Sequence, residues 1–278
     1  MKMMNLHSWL LVLMIQVMTC GLVSASETSE MKGLKIKLIS EQKVVSPGAT
    51  ITVGVSIKHD EGFHTYWRNP GNVGMATGIK WKLPEGFLAE SIQWPCPELC
   101  LMAGHPCHGY ERDVVLLVDI KVPEKLFTNE VKLIANVAWM CCADDCHPGF
   151  KELSIILPVG EKSIVDEKHA VVFATARKEL PIEDCPWEVV MLSGKDEPVV
   201  KVRVKQRSGV ETKKVPEYIF SDDGQVSSDK EQKFTKQADA SYIMRIDRSE
   251  YSPKFKNKFS GVLKVGNHHY TFLTDYEK

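Results

Sequence analysis

Two cysteines with three residues between them, Cys142 and Cys146, sit in the segment Trp139-Met140-Cys141-Cys142-Ala143-Asp144-Asp145-Cys146-His147-Pro148-Gly149. An apolar, β-like run ends at the first of the pair, and a Pro-Gly turn follows the second. If the chain reverses through Ala143-Asp144-Asp145, the two Cα atoms fall within the roughly 4.4–6.8 Å that a disulfide needs. A bridge closing so small a loop contributes little chain-entropy stabilisation, because that contribution grows with loop length. It is a poor staple and a suitable exchange site. Exchange requires a reachable sulfur, a thiolate in one partner and a second cysteine to resolve the mixed disulfide. The flanking charges pull in opposite directions: Asp144 and Asp145 oppose a thiolate, and a protonated His147 favours one. A structural disulfide at a hairpin end is the competing reading of the same residues.

A second cluster lies upstream. Cys96, Cys100, Cys107, His105, His108 and Met102 fall within thirteen residues. Thiols, imidazoles and a thioether form a soft-ligand set suited to Cu(I) or Zn(II), so Cys96, Cys100, Cys107, His105 and His108 are candidate metal ligands. Their spacing matches no standard zinc template. A disulfide, Cys96–Cys100 or Cys100–Cys107, competes with the metal reading. So does a second redox pair feeding the first, and the segment can also serve as a lid over it. Cys141 precedes Cys142 on the same run, and strand alternation turns it to the face of Trp139 as a buried free thiol. Cys185 is the other candidate unpaired thiol. His64, Tyr66 and Trp67 read as core and turn residues, and His268-His269 as surface strand. No paired-carboxylate site, nucleophile elbow or phosphate loop is present.

Cysteine chemistry depends on compartment. Residues 1–25 carry Lys2, an apolar run from Trp9 to Met18 and a small-x-small end, Val23-Ser24-Ala25. This pattern is a secretory signal cleaved near Ala25, and it is too short for a stable span. Val17-Met18-Thr19 is a poor lipobox, so Cys20 is not read as a lipidation site. Later segments fall short of the roughly 18 consecutive apolar residues a span needs. A periplasmic or secreted location follows, where disulfides persist. Of the 8 cysteines, Cys20 leaves with the signal, and the odd number remaining leaves at least one thiol free or paired between chains. Lys+Arg 35 against Asp+Glu 36 supplies no basic stripe, which excludes nucleic acid as a partner.

The elements that must position these cysteines are mostly strands. Period-two alternation marks 34–38, 51–57, 79–83, 114–122, 131–139 and 153–157, with Ser46-Pro47-Gly48, Asn69-Pro70-Gly71 and Pro84-Glu85-Gly86 as turns. Short strands with regular turns indicate an all-β chain that begins with an immunoglobulin-like β-sandwich over 31–158. A connector helix follows at 162–181. Asp166 caps it, Ala170, Val171, Phe173, Ala174, Ala176 and Leu180 form its buried stripe, and Pro181 stops it. Strands resume at 187–192, 199–204, 242–246, 261–265 and 270–273, forming a second, smaller β-sandwich over 185–278. Ser221 to Ala238 reads as a long polar loop.

Several ordered segments carry a family resemblance. Phe63-His64-Thr65-Tyr66-Trp67-Arg68-Asn69-Pro70-Gly71-Asn72-Val73-Gly74 resembles the HTYW-x-NPG-x-x-G segment of the periplasmic N-terminal domain of DsbD/ScsB-type thiol:disulfide interchange proteins. Residues 79–87, Ile92-Gln93-Trp94-Pro95 and Gly109-Tyr110-Glu111 with Val114-Val115-Leu116 continue it, and 139–149 resembles its W-L-x-C-x-x-x-C-x-P-G segment. The resemblance implies an immunoglobulin-like fold in which Cys142 and Cys146 are the redox pair. It implies electrons taken from a membrane thiol reductase or thioredoxin-like donor and passed to extracytoplasmic disulfide-containing proteins. The family's membrane and thioredoxin-like domains are not in this sequence, and its domain usually lacks cysteines where Cys96, Cys100 and Cys107 stand.

The reading is therefore a protein thiol-disulfide oxidoreductase or electron-relay domain with Cys142 and Cys146 catalytic. Cys146, in the turn, meets the partner and Cys142 resolves. No cofactor is assigned beyond the disulfide. A copper- or zinc-binding metal-tolerance module using the Cys96–His108 loop is the alternative, and a docking sandwich with an inert disulfide is a third reading.

Overall fold

A computed structural model describes residues 28–194, 197–209, 214–250, 252–253 and 258–276. Residues 1–25, read from sequence as a secretory signal, and Cys20 lie outside the described residues. The first half lays down β1 (Ser29–Met31), β2 (Leu34–Ser40), β3 (Gln42–Val44), β4 (Thr50–His59), β5 (Thr65–Tyr66), β6 (Gly78–Lys82) and β7 (Leu88–Ala89). It continues with β8 (Glu98–Met102), β9 (His105–Tyr110), β10 (Val114–Lys121), β11 (Glu130–Cys142), β12 (Cys146–Pro158) and β13 (Ile164–Val165). After helix α1 (Glu167–Lys178) come β14 (Trp187–Met191), β15 (Val199–Gln206), β16 (Pro216–Ser221) and β17 (Phe234–Lys236). The last three are β18 (Tyr242–Asp247), β19 (Lys258–Val265) and β20 (His268–Asp275).

Alternation explains how the first half packs. A five-stranded sheet, β1-β2-β4-β10-β7, faces a three-stranded sheet, β12-β11-β6. Every second residue of β11, from Val131 through Leu133, Ala135 and Val137 to Trp139 and Cys141, is buried between them. Leu34, Ile36 and Leu38 of β2 and Leu116, Val118 and Ile120 of β10 close the core from the other side. This is an immunoglobulin-like sandwich, and the chain as a whole is nearly all-β. Among the described residues, no helix is long and apolar enough to cross a membrane.

The second half builds a four-stranded sheet, β14-β15-β18-β17, against a three-stranded one, β16-β19-β20. Trp187, Val202, Met244, Phe259 and Leu263 fill its core. Tyr218, Phe220 and Val262 cross the boundary and join the first core instead. The second sandwich thus packs into the first one rather than hanging from a linker.

Two expectations need correction. Helix α1 is capped by Asp166, whose carboxylate accepts from the Lys168 amide at 3.1 Å, but only Phe173 and Ala176 are buried. Val171 is 75% exposed, so the stripe is narrower than its apolar spacing suggests; α1 lies on the outer face of β10 and meets the sheet along one edge. The stretch Ser221 to Ala238 is irregular over 222–233, as expected of a loop, and exposed over most of its second half, but its first half is not solvated. Ser221, Gln225, Val226, Ser227 and Ser228 are buried, and Phe234–Lys236 forms β17. Its polarity survives burial because its side chains are hydrogen-bonded: Gln225 donates to Asp223 and to the Lys258 carbonyl, and Ser228 Oγ accepts from the Asn72 amide.

Candidate functional site

β11 and β12 run antiparallel over thirteen opposed pairs, and the last pair is Cys142 with Cys146. The three residues between them turn the chain, closed by a hydrogen bond from the Ala143 amide to the Asp145 carbonyl at 3.1 Å. The two cysteines form a disulfide across this tip, with Cα atoms 4.2 Å apart. Directly opposed residues of an antiparallel ladder come this close, so the ladder itself delivers the sulfurs to one another. Gly149 makes the register possible. It lies opposite Trp139, and a Cβ there would enter the indole ring.

The sulfurs have unequal surroundings. Cys142 is fully buried, whereas Cys146 is exposed. Cys142 is also held from its other side: the His64 amide donates to its carbonyl at 2.9 Å, and its amide donates to the His64 carbonyl at 3.0 Å. From His64 the chain enters β5, which pairs with β9, which pairs with β8. The hairpin tip is thereby continuous with the segment that carries the upstream cysteines.

That segment is itself a hairpin. Ala103 and Gly104 form its two-residue turn, both with positive φ (48° and 83°), which suits the twist of the flanking strands. Cys100 stands opposite Cys107, and Met102 opposite His105. Cys100, Cys107, Tyr66 and Cys142 pack as one buried cluster, with Val73, Met102 and Met140 against it. Met102 Sδ lies 3.7 Å from Cys146 Sγ. His64 Nε2 lies 3.2 Å from the Tyr66 hydroxyl and 3.9 Å from Cys107 Sγ. Gly74, at φ 90°, lets the Tyr66 ring sit against the backbone where a side chain would collide with it.

Burial sets the protonation of these groups. It pushes the Cys107 thiol up to about 12, drives Cys100 higher still, and holds His64 below its ordinary range as a neutral imidazole. Cys141 is buried in the sandwich core beside Trp139, on the face opposite Cys142, with its thiol raised to about 12 by desolvation.

The candidate metal ligands do not gather. Cys96 lies apart, with its amide on the Glu179 carbonyl at 2.7 Å and its own carbonyl on Arg112. His105 is exposed at the turn. His108 points away from Cys107 into the boundary with the second half, where Nε2 bonds the Tyr218 hydroxyl at 3.0 Å and Nδ1 the Asn69 carbonyl at 3.2 Å. Strand alternation explains the split: neighbours in β9 face opposite ways. Among the described residues, no group of three or more His, Cys, Asp or Glu side chains is placed to hold a metal. Cys96, Cys100, Cys107, Cys141 and Cys185 are free thiols, and neither the Cys96–Cys100 nor the Cys100–Cys107 bridge considered above is formed.

Sequence reasoning placed His64 and Tyr66 in the core and missed that they border the pair. It also missed Met102 as a neighbour of Cys146. Period-two spacing from Cys100 to Met102 is the signal that links them.

A family model, thiol:disulfide interchange protein DsbD, N-terminal, matches residues 36–158. Residues 36–158 form a DsbD-type N-terminal domain. The matched span contains the hairpin tip, β5 and the β8–β9 hairpin. The N-terminal periplasmic domain of ScsB from Proteus mirabilis is similar to the chain in fold, with TM-score 0.67 at 14% identity, covering 91% of this chain and 99% of that one. This likeness extends over both sandwiches. Spo0M, a sporulation control protein from Bacillus subtilis, aligns with TM-score 0.24 at 8% identity over 88% of this chain and 91% of its own, too distant to inform the fold. No curated protein sequence matches the chain.

Proposed function

We propose that Cys142–Cys146 is the exchange centre of an extracytoplasmic electron relay, with Cys146 meeting the partner and Cys142 resolving. The observation that carries this reading is the asymmetry of the bridge: one sulfur is exposed at a hairpin tip and the other is fully buried. A donor thiolate attacks Cys146 Sγ, the disulfide breaks, and Cys142 leaves as a thiolate that takes up a proton. The donor's second cysteine then attacks its own sulfur in the mixed disulfide and frees Cys146. The dithiol so formed reduces a target by the same steps in reverse order of roles: Cys146 attacks the target disulfide and Cys142 resolves. The three-residue loop supports this use, since a bridge that contributes little to stability opens without unfolding the sandwich.

The donor is a membrane thiol reductase or a thioredoxin-like protein, and the targets are disulfide-containing proteins outside the cytoplasm. The signal-like residues 1–25 support that location. The test is stopped-flow exchange with a reduced thioredoxin-like donor. Cys142→Ser and Cys146→Ser are each expected to lose two-electron exchange entirely, and unchanged exchange in either variant refutes the proposal.

A further inference from the structure

We propose that Cys100 and Cys107 are a second redox-active dithiol, which exchanges two electrons with the Cys142–Cys146 disulfide through its buried sulfur. The inference rests on the exchange reading of Cys142–Cys146 and adds an internal partner to it.

Three placements carry it. First, Cys100 and Cys107 are directly opposed in the β8–β9 ladder, where Cα atoms lie about 4.5–5.5 Å apart, inside the span a disulfide accepts. A bridge needs no rearrangement of the hairpin. Second, both thiols pack in one buried cluster with Cys142. Met102, two residues beyond Cys100 on the same strand face, already touches Cys146 with its sulfur at 3.7 Å. Third, an acceptor for the proton stands at hand: His64 Nε2 is 3.9 Å from Cys107 Sγ, and the His64 backbone is bonded to Cys142. The outward sulfur of the bridge is thus open to proteins, and the inward one is buried in the same cluster as this pair.

The step balances. Cys107 loses its proton to solvent by way of His64 and attacks Cys142 Sγ; the Cys142–Cys146 bond breaks, and Cys146 leaves as a thiolate that is protonated from solvent. Cys100 then attacks Cys107 Sγ, forming Cys100–Cys107 and releasing Cys142, which takes up the proton that Cys100 gives off. Two electrons and two protons pass from the Cys100/Cys107 dithiol to the Cys142–Cys146 disulfide, and no outside oxidant is consumed. The domain can therefore hold two disulfides or two dithiols, and an oxidised or reduced equivalent is stored one step behind the exposed pair.

The experiment is alkylation-quenched peptide mapping of the full chain across glutathione buffers stepped from reducing to oxidising. Wild type is expected to show two bridges at the oxidising end, Cys142–Cys146 and Cys100–Cys107. The double variant Cys100→Ser/Cys146→Ser, which lacks both the resolving and the leaving sulfur, is expected to accumulate a Cys107–Cys142 bridge. Cys100 and Cys107 remaining alkylated at every ratio in wild type, while Cys142–Cys146 titrates, overturns the inference and leaves the exchange reading intact. Absence of the Cys107–Cys142 bridge in a double variant that retains the wild-type circular dichroism spectrum overturns the internal transfer. A Cys142–Cys146 bridge that never opens instead overturns the exchange reading, and the relay with it.

Discussion

Two hairpins carry facing cysteines in this molecule, and they differ in what surrounds the sulfurs. In β11–β12 the cysteines are the last pair of the ladder, around a three-residue loop, with Cys146 exposed. In β8–β9 they sit two pairs below a two-residue turn, and both are buried beneath Tyr66 and Cys142. The first pair is bridged and the second is free. Ladder geometry alone brings cysteines within bonding range at both places. Position along the hairpin decides which pair a protein partner can touch.

The largest expected effect is on reactivity. In the fully reduced protein, Cys146 is alkylated first and Cys107 far later. Burial raises Cys107 from 9.0 to about 12, which cuts its thiolate fraction at neutral pH about a thousand-fold. Timed iodoacetamide labelling with peptide mapping checks this, and equal rates at Cys146 and Cys107 would erase the contrast between the hairpins.

Next comes the acid response of the β8–β9 hairpin. His108 is buried against Tyr218 and Phe220, and desolvation depresses its folded-state value to about 4. The folded protein therefore binds fewer protons than the unfolded chain between about pH 6.5 and about pH 4. The neutral side chain is tolerated in full above about pH 6.5, and stability falls as pH drops through that window, by about 3 kcal/mol in total. His108→Gln is expected to flatten this limb in denaturant melts at pH 7 and pH 4.5. An unchanged limb would remove His108 as the cause.

Gly149→Ala acts on the other hairpin. A methyl there meets the Trp139 ring, and overpacking of this kind costs about 1–3 kcal/mol. The thermal midpoint should fall and exchange should change, because the register that aligns Cys142 with Cys146 runs through this pair. The smallest effect belongs to Asp166→Ala. Loss of the α1 cap costs about 1 kcal/mol, with exchange unchanged, since Asp166 caps the end of α1 that lies on Glu41, opposite to the Glu179 end that meets Cys96 before β8.

The same two hairpins show what was legible in the sequence. β11 and β12 alternate cleanly from Val131 to Trp139 and from Leu153 to Leu157, because one face of each is buried and the other is not. The bridge at their tip could be read from spacing, and its redox role from the family resemblance. β8 and β9 could not be read as strands. Leu99 and Leu101 are apolar but exposed, Cys100 and Cys107 are buried, and Pro106 and Gly104 interrupt the pattern. Residues 96–108 therefore resembled a ligand set, and only their folding as strands turns His108 away from Cys107. β16 was hidden for a related reason: Tyr218 and Phe220 are buried by the first sandwich, a contact that lies far away in sequence. Local alternation is visible in a sequence, but the surface that buries a residue from another part of the chain is not.

The most direct test of the central claim is trapping of the mixed disulfide with a thioredoxin-like donor whose resolving cysteine is replaced by serine, followed by peptide mapping. The account predicts that the donor is joined to Cys146, because that sulfur alone of the bridge faces outward. A donor joined to Cys142, or a bridge that traps no donor at all, would contradict it.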